Sequence, residues 1–189
     1  MKITSGKYKY RKLELPRGIR PTTEKVREAV FSMITPWLDG AVVMDMFAGS
    51  GAYGLEALSR GASHCFFSET SRANCRVLIS NIEQCEAGSE STVLNSDYQA
   101  AIQRVSEKGA TLEVVFMDPP YEEVSYYAKG MEMMQDEDLL DEGSIVVAEH
   151  LYDNKLLDNY RNLHRIKEKR YGSIGIDVYF YEKRDGDDF

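Results

Sequence analysis

From Ala41 onward, short apolar runs alternate with stretches whose apolar side chains recur every three to four residues, the pattern of parallel strands joined by helices. AVVMDMF (41–47), HCFFSE (64–69), STVLNS (91–96), TLEVVFM (111–117) and SIVVAEH (144–150) predict five strands. Helices are expected over 51–59, stopped by Gly61, over 71–86, from Asp97 to about Lys108, and over roughly 124–135. A short helix is expected near Leu156, and LHRIKEKRY with IGIDVYFYE (174–182) predicts a closing antiparallel pair around Gly172-Ser173. Ahead of this α/β pattern, Lys2 to Leu15 alternates loosely around Ser5-Gly6-Lys7, which suits a short β-hairpin. Arg20-Pro21-Thr22-Thr23 then opens a helix, with Thr22 or Thr23 as cap, Val26, Val30 and Ile34 on one face, and Pro36 as its end. Two units are expected: an N-terminal basic hairpin and helix over 1–36, and a doubly wound sheet domain over 37–189.

Charge alters this picture at one end. The chain of 189 residues carries a net charge of −8, yet residues 1–30 hold nine Lys or Arg against three Glu, leaving 14 basic and 28 acidic side chains to the rest. A basic segment on an acidic body suggests a local anion-binding surface; the alternative is a merely solvated tail. Tyr8 and Tyr10 interleave with Lys7, Lys9, Arg11 and Lys12, as suits nucleic acid, where rings stack on bases while cations meet phosphates. The hydrophobic content of 43% supports a real core. Cys65, Cys75 and Cys85 form no CxxC pair, which argues against a disulfide framework or a four-ligand zinc site and for reduced, mostly buried thiols. No stretch approaches the roughly 20 apolar residues of a membrane span, and MKITSGKYKYRK lacks the apolar part of a signal peptide, so a cytoplasmic protein is expected. His64, His150 and His164 have no partners at ligand spacing and are expected to be structural or superficial, with no metal.

The candidate chemistry lies at predicted strand ends. Ala48-Gly49-Ser50-Gly51-Ala52-Tyr53-Gly54 satisfies GxGxxG between a strand and its helix, so a dinucleotide is the first ligand to test. Asp45 opposes that choice. A pyrophosphate brings about two negative charges to such a helix N-terminus, where an adjacent carboxylate repels it. S-adenosylmethionine has no phosphate; its sulfonium, ammonium and single carboxylate suit an acid beside exposed amides. Glu69, ending strand two, can accept both ribose hydroxyls, unless it is simply a surface acid. Asp97 can accept from an adenine amino group, cap the following helix, or do both.

Met117-Asp118-Pro119-Pro120-Tyr121 ends the fourth strand. Its prolines remove two backbone donors and set two φ angles near −65°, which makes the segment stiff. It is either a strand terminator or a preorganised acceptor site.

D-x-F-A-G-S-G (45–51), Glu69, Asp97 and D-P-P-Y (118–121) together resemble the Rossmann-like S-adenosylmethionine-dependent amino methyltransferases. Gly6-Lys7, the run from Arg20 to Glu28 (RPTTEKVRE) and FAGSGAYGLEALSRGA look like the bacterial family that methylates the 2-amino group of a guanine in small-subunit ribosomal RNA. The similarity covers nearly the whole chain. It implies a seven-stranded, mostly parallel sheet with helices on both faces and a reversed last strand. Phe47, Ala48, Gly49, Ser50 and Gly51 would cradle the methionine part of the cofactor with Asp45 near its ammonium. Glu69 would hold the ribose, and Asp97 and Thr70 would lie on the adenine side. Asp118 and the Pro119 carbonyl would accept the two N–H bonds of the target amine, in a turn stiffened by Pro120, and Tyr121 would stack on the base. Lys7, Lys9, Arg11, Lys12 and Arg20 would contact ribosomal RNA or an assembling small subunit. The alternatives are an adenine-N6 nucleic-acid methyltransferase, which shares DPPY, a non-catalytic RNA-binding assembly factor, and, more remotely, a hydride-transfer enzyme.

Overall fold

A computed structural model describes residues 1–19, 22–120 and 123–184. Five helices and eight strands are present among them: α1 (Glu24–Ile34), β1 (Val42–Asp45), α2 (Ala52–Ser59), β2 (His64–Ser68), α3 (Arg72–Gln84), β3 (Ser91–Leu94), α4 (Tyr98–Glu107), β4 (Leu112–Met117), α5 (Ser125–Asp136), β5 (Leu140–Leu151), β6 (Asn159–Tyr160), β7 (Leu163–Tyr171) and β8 (Ile174–Tyr181). They form one sheet of order β3-β2-β1-β4-β5-β8-β7-β6. The first five strands run parallel, and β8 pairs antiparallel with both β5 and β7. The reversed last strand is therefore internal to the sheet.

Alternation along the strands sends side chains to two cores. Val43, Phe67, Val114, Phe116 and Val147 pack with α1, α2 and α3 on one face. Met44, Phe66, Val115, Met117 and Val146 pack with α4 and α5 on the other. This period of two across a sheet buried on both sides is why the strands read as continuous apolar runs. Gly54 and Gly130 bring helices close to the sheet: a Cβ at Gly54 would stand 2.3 Å from Phe67 Cε1, and one at Gly130 2.7 Å from Met117 Cε.

Several expectations change in detail. The sheet has eight strands where seven are expected, because the two-residue β6 pairs with β7 at the edge. No helix forms near Leu156; Asp153 to Asp158 is turn and irregular chain, held where Tyr160 and Tyr179 hydroxyls bond the Leu157 amide and carbonyl. Pro36 does not simply stop α1, but sits within a 3₁₀ turn over Thr35–Trp37. Lys2 to Leu15 forms a compact turn with a single antiparallel bridge, Lys2 to Lys12, instead of two strands. The amides of Ile3, Tyr10 and Leu13 bond across the segment, whereas those at its turn reach other elements: Thr4 and Ser5 donate to the Glu56 carboxylate, and Lys7 donates to the Ser59 carbonyl.

Residues 1–36 share the first core, through Ile3, Tyr8, Leu13, Val30 and Phe31. Beneath them lies a buried ion cluster, in which Glu56 receives Arg27 at 3.3 Å and Arg60 at 3.1 Å. Arg27 is fully buried, so this cation is internal and unavailable to a polyanion. A second buried cluster joins β5, β7 and β8, where Asp177 lies between His150 (3.2 Å) and Arg165 (3.3 Å). No helix among the described residues is long and apolar enough to cross a membrane.

Candidate active site

A cleft of about 800 Å³ opens at the carboxyl ends of β1, β2, β3 and β4, the place where open α/β sheets bind ligands. Asp45, Phe47, Ala48, Gly49, Ser50, Glu69, Thr70, Asp97, Asp118, Pro119 and Pro120 all line it. Gly51 lies just behind the lining, in the left-handed region (φ +84°) as the N-cap of α2. Gly49 is also left-handed (φ +54°). Together they turn the chain sharply from strand to helix, with the Gly51 amide closing the turn on the Ala48 carbonyl at 2.7 Å, in a conformation disfavoured for residues with a Cβ.

The three expected acids occupy different settings. Asp45 is 2% exposed and accepts the Gly54 amide at 3.0 Å. Burial raises its pKa to about 7, against the opposing Gly54 bond and with a smaller push from Glu69. Glu69 accepts amides from Gly49 (3.2 Å) and Ser71 (2.8 Å), which ties the end of β2 to the glycine loop. Asp97 caps α4 by accepting the Ala100 amide at 2.8 Å; one such bond leaves a carboxylate with further lone pairs. Above Asp97, Phe47, Tyr98 and Tyr126 form an aromatic cluster, with Phe47 and Tyr126 stacked at 5.9 Å and 3° and Tyr98 4.9 Å from Tyr126.

Asp118 lies at the end of β4, partly exposed to the cleft. Its carboxyl is held well above the usual range, first by burial, then by the negative charge of the neighbouring Glu149 and, less, by that of Asp45. Tyr121 falls outside the described residues. Glu149, on β5, is 3% exposed and accepts Thr22 Oγ1 at 2.7 Å and Tyr53 Oη at 3.0 Å. Thr23, not Thr22, caps α1, which frees Thr22 to reach the sheet.

Sequence reasoning missed Glu149, Tyr53, Tyr98, Tyr126 and Asn81. Glu149 had a visible signal, an acid at the carboxyl end of a predicted parallel strand. Asn81 had none: buried in α3, it donates to the carbonyls of Ser50 (2.8 Å) and Glu14 (2.9 Å) and accepts the Glu14 amide (2.8 Å), clamping the N-terminal segment to the glycine loop. That segment forms one wall of the cleft through Met1, Gly18, Ile19 and Thr22.

The basic residues divide. Lys7 bonds Glu90 at 2.6 Å, and Arg11 donates to the Gln84 carbonyl (2.6 Å) with Glu86 at 3.5 Å. Tyr8 is buried and donates to Glu90 at 2.7 Å, so its ring cannot stack on a base. Lys9 and Lys12 are exposed and make no ion pair among the described residues, and Tyr10, 67% exposed, lies under Lys9. Arg20 falls outside the described residues. His64 bonds Thr92, His164 bonds Asn159, and the three cysteines are free and buried. Among the described residues no three His, Cys, Asp or Glu are grouped to hold a metal.

The family model described as Conserved hypothetical protein 95 matches residues 1–180. The chain belongs to this family. The Ribosomal RNA small subunit methyltransferase D of Escherichia coli (strain K12) is 34% identical over 181 residues, covering 95% of this chain and 89% of that protein. The solved structure of the Escherichia coli protein yhhF is 34% identical with a TM-score of 0.85, over 97% of this chain and 99% of that one. More distantly, an RNA methyltransferase of Salinibacter ruber solved with S-adenosyl-L-homocysteine shares the fold at 15% identity and a TM-score of 0.66, over 89% and 98% of the two chains.

Proposed function

We propose that this chain transfers the methyl group of S-adenosylmethionine to the exocyclic 2-amino group of a guanine in small-subunit ribosomal RNA. The observation that carries the reading is that one cleft holds both the glycine loop with Glu69 and the Asp118-Pro119-Pro120 segment. The residues fit the donor. The N-terminus of α2, just past the Gly49–Gly51 turn, offers its positive end to a carboxylate, Asp45 offers an acid to an ammonium, Glu69 offers an acceptor to ribose hydroxyls, and the Phe47–Tyr98–Tyr126 cluster beside Asp97 offers an apolar wall to adenine. The name of the Escherichia coli relative supports ribosomal RNA as the acceptor, and the choice of guanine rests on the RPTT resemblance.

S-adenosylmethionine supplies an electrophilic methyl on sulfur, so the task left to the protein is to improve a poor nucleophile. The lone pair of an exocyclic amine is delocalised into the base. Acceptors at the Asp118 carboxyl and the Pro119 carbonyl would take the two N–H bonds and turn the lone pair toward the methyl, which is catalysis by orientation. The proline rings keep those acceptors fixed, so little reorganisation is needed at the moment of transfer. The base must leave its stack to reach the cleft. The exposed Lys9 and Lys12, with Lys7, Arg11 and Arg20, would position the RNA through phosphates without reading its sequence. On this reading the protein works in the cytoplasm on ribosomal RNA or an assembling small subunit.

Incubation with tritiated S-adenosylmethionine and unmodified small subunits, free ribosomal RNA or DNA tests the reading. Label is expected in RNA as N2-methylguanine, and Asp118→Ala is expected to lower transfer at least about 100-fold. Label in DNA alone, or in adenine, refutes it.

A further inference from the structure

Beyond residue 30 the chain is strongly acidic, yet residues 161–171 hold five of the 14 Lys or Arg found there and one of the 28 acids. This segment is β7 with the turn leading into it. From Ile166 to Tyr171, β7 has no strand on its outer side among the described residues, because the two-residue β6 pairs only with Leu163 and His164. Lys167, Lys169 and Arg170 are exposed along this open edge. Arg161 and Arg165 are engaged elsewhere, the first with Asp136 at 2.6 Å and the second with Asp177 at 3.3 Å.

Strand register brings this edge to the cleft end of the sheet. Met117, Ala148, Asp177 and Glu168 form one rung across β4, β5, β8 and β7. β7 is antiparallel to β8 and so runs in the direction of the parallel strands. Lys169 and Arg170 therefore stand just past that rung, as Asp118 does on β4, and three strand spacings, about 14–15 Å, separate them from it. Lys167 and Lys169 oppose Val178 and Ile176, which belong to the first core, so both lysines project on the α1 side of the sheet. Glu168 projects to the other side, where it meets Lys155 at 3.0 Å and Arg165 at 3.6 Å. Neither Lys167 nor Lys169 has an ion pair among the described residues. Arg170 is fixed in place: its Nε donates to the Gly172 carbonyl at 2.9 Å, and its guanidinium lies 4.2 Å over the Tyr152 ring. Its two terminal nitrogens make no bond among the described residues, and such a held, planar fork suits a phosphate.

We propose that the open edge of β7 is a second RNA-binding surface, on which Lys167, Lys169 and Arg170 hold phosphates of the strand that carries the target base. This rests on the reading of ribosomal RNA as the substrate. The two lysines are about 6.7 Å apart along the strand, a step comparable with that between neighbouring phosphates of a nucleic-acid chain. Contacts of this kind fix register and orientation without reading sequence. Charges on an open edge also keep it from pairing with another chain, but acids serve that purpose equally well. On a body that otherwise repels a polyanion, cations at the cleft end of the sheet direct the RNA to the site.

Acetylation of surface amines, read by mass spectrometry with and without protein-free small-subunit ribosomal RNA, tests the surface on the unaltered protein. RNA is expected to protect Lys167 and Lys169 but not the exposed Lys108, which ends α4 at the opposite end of the sheet. Lys167→Gln with Lys169→Gln is expected to raise KM for RNA about tenfold at about 0.1 M salt and to reduce the salt slope by roughly 0.7 for each phosphate released. Its kcat at saturating RNA and its affinity for S-adenosylhomocysteine should not change. Lys167→Glu with Lys169→Glu keeps a charged edge, so it should elute as the parent does in gel filtration and bind RNA more weakly still. Equal acetylation with and without RNA, or a glutamine pair with the parental salt slope or with lost S-adenosylhomocysteine affinity, overturns the proposal. Protection by assembled subunits and not by protein-free RNA assigns the edge to a ribosomal protein and overturns it too. Protection by RNA that is never methylated overturns the reaction reading and leaves the surface standing.

Discussion

Asp45 shows how one residue's environment sets a measurable property of the site. Burial holds its carboxyl near pH 7 in the ligand-free protein, whereas the proposed partner, an ammonium, needs it ionised. Binding then has to expel a proton. Affinity for S-adenosylhomocysteine, measured by calorimetry, is expected to rise about tenfold per pH unit below about 7 and to level off above it. Asp45→Asn should bind weakly with a flatter profile. The same shift acts on stability. A carboxyl whose pKa is raised on folding favours the folded state while protonated, so its contribution is complete below the ordinary Asp range and is lost as pH rises through about 7. Urea unfolding of the ligand-free protein should show that loss, and Asp45→Asn should lack its share of it.

At the scale of elements, the β1–α2 junction carries the site, and its two glycines have separable roles. Gly51 needs a left-handed backbone, and a Cβ there would also stand 2.4 Å from Leu78 Cδ1. Gly54 is helical, and a Cβ there would meet Phe67 and the Cys65 sulfur at 2.3 and 2.7 Å. Gly51→Ala is expected to cost about 1–3 kcal/mol in thermal or urea unfolding and to weaken S-adenosylhomocysteine binding, since it deforms the loop itself. Gly54→Ala should destabilise comparably by pushing α2 off β2, and it should further displace the amide that Asp45 accepts. A Gly51→Ala protein with unaltered stability and ligand affinity contradicts this account. The GxGxxG spacing made the turn legible. Its use by Glu69, which accepts the Gly49 amide at 3.2 Å, was not legible, because β2 lies beside β1 only once the sheet has formed.

For the whole molecule, the question is how a chain of net charge −8 meets a polyanion. The basic N-terminal segment is legible in the sequence, but the fold divides it: Arg27 is buried against Glu56, Lys7 and Arg11 face Glu90 and Glu86, and Lys9 and Lys12 remain exposed. Neutralising Lys9 and Lys12 together is expected to weaken RNA binding and to reduce the slope of log affinity against log salt by roughly 0.7 for each phosphate that the two lysines had neutralised. Affinity for S-adenosylhomocysteine should not change. An unaltered salt slope excludes these two lysines from the RNA surface. Lys7→Gln with Arg11→Gln should behave differently, loosening the docking of the segment on Gln84 and Glu90 and lowering stability as well.

What the sequence determined alone is what depends on neighbours along the chain. The two-residue and 3.6-residue periods specified strands and helices, the glycines specified a tight turn, and the prolines specified a stiff end to β4, because each of these is set by local sterics and burial. Which side chains meet across the chain was decided by tertiary structure. Glu149 gathers Thr22 and Tyr53 from positions 127 and 96 residues away, and Asn81 joins Glu14 to Ser50 across 67 and 31 residues. Such pairings follow from strand order and from the packing of α1 and α3 on the sheet. No local pattern encodes them, since a buried acid or amide is tolerated only where the completed fold supplies its hydrogen-bonding partners.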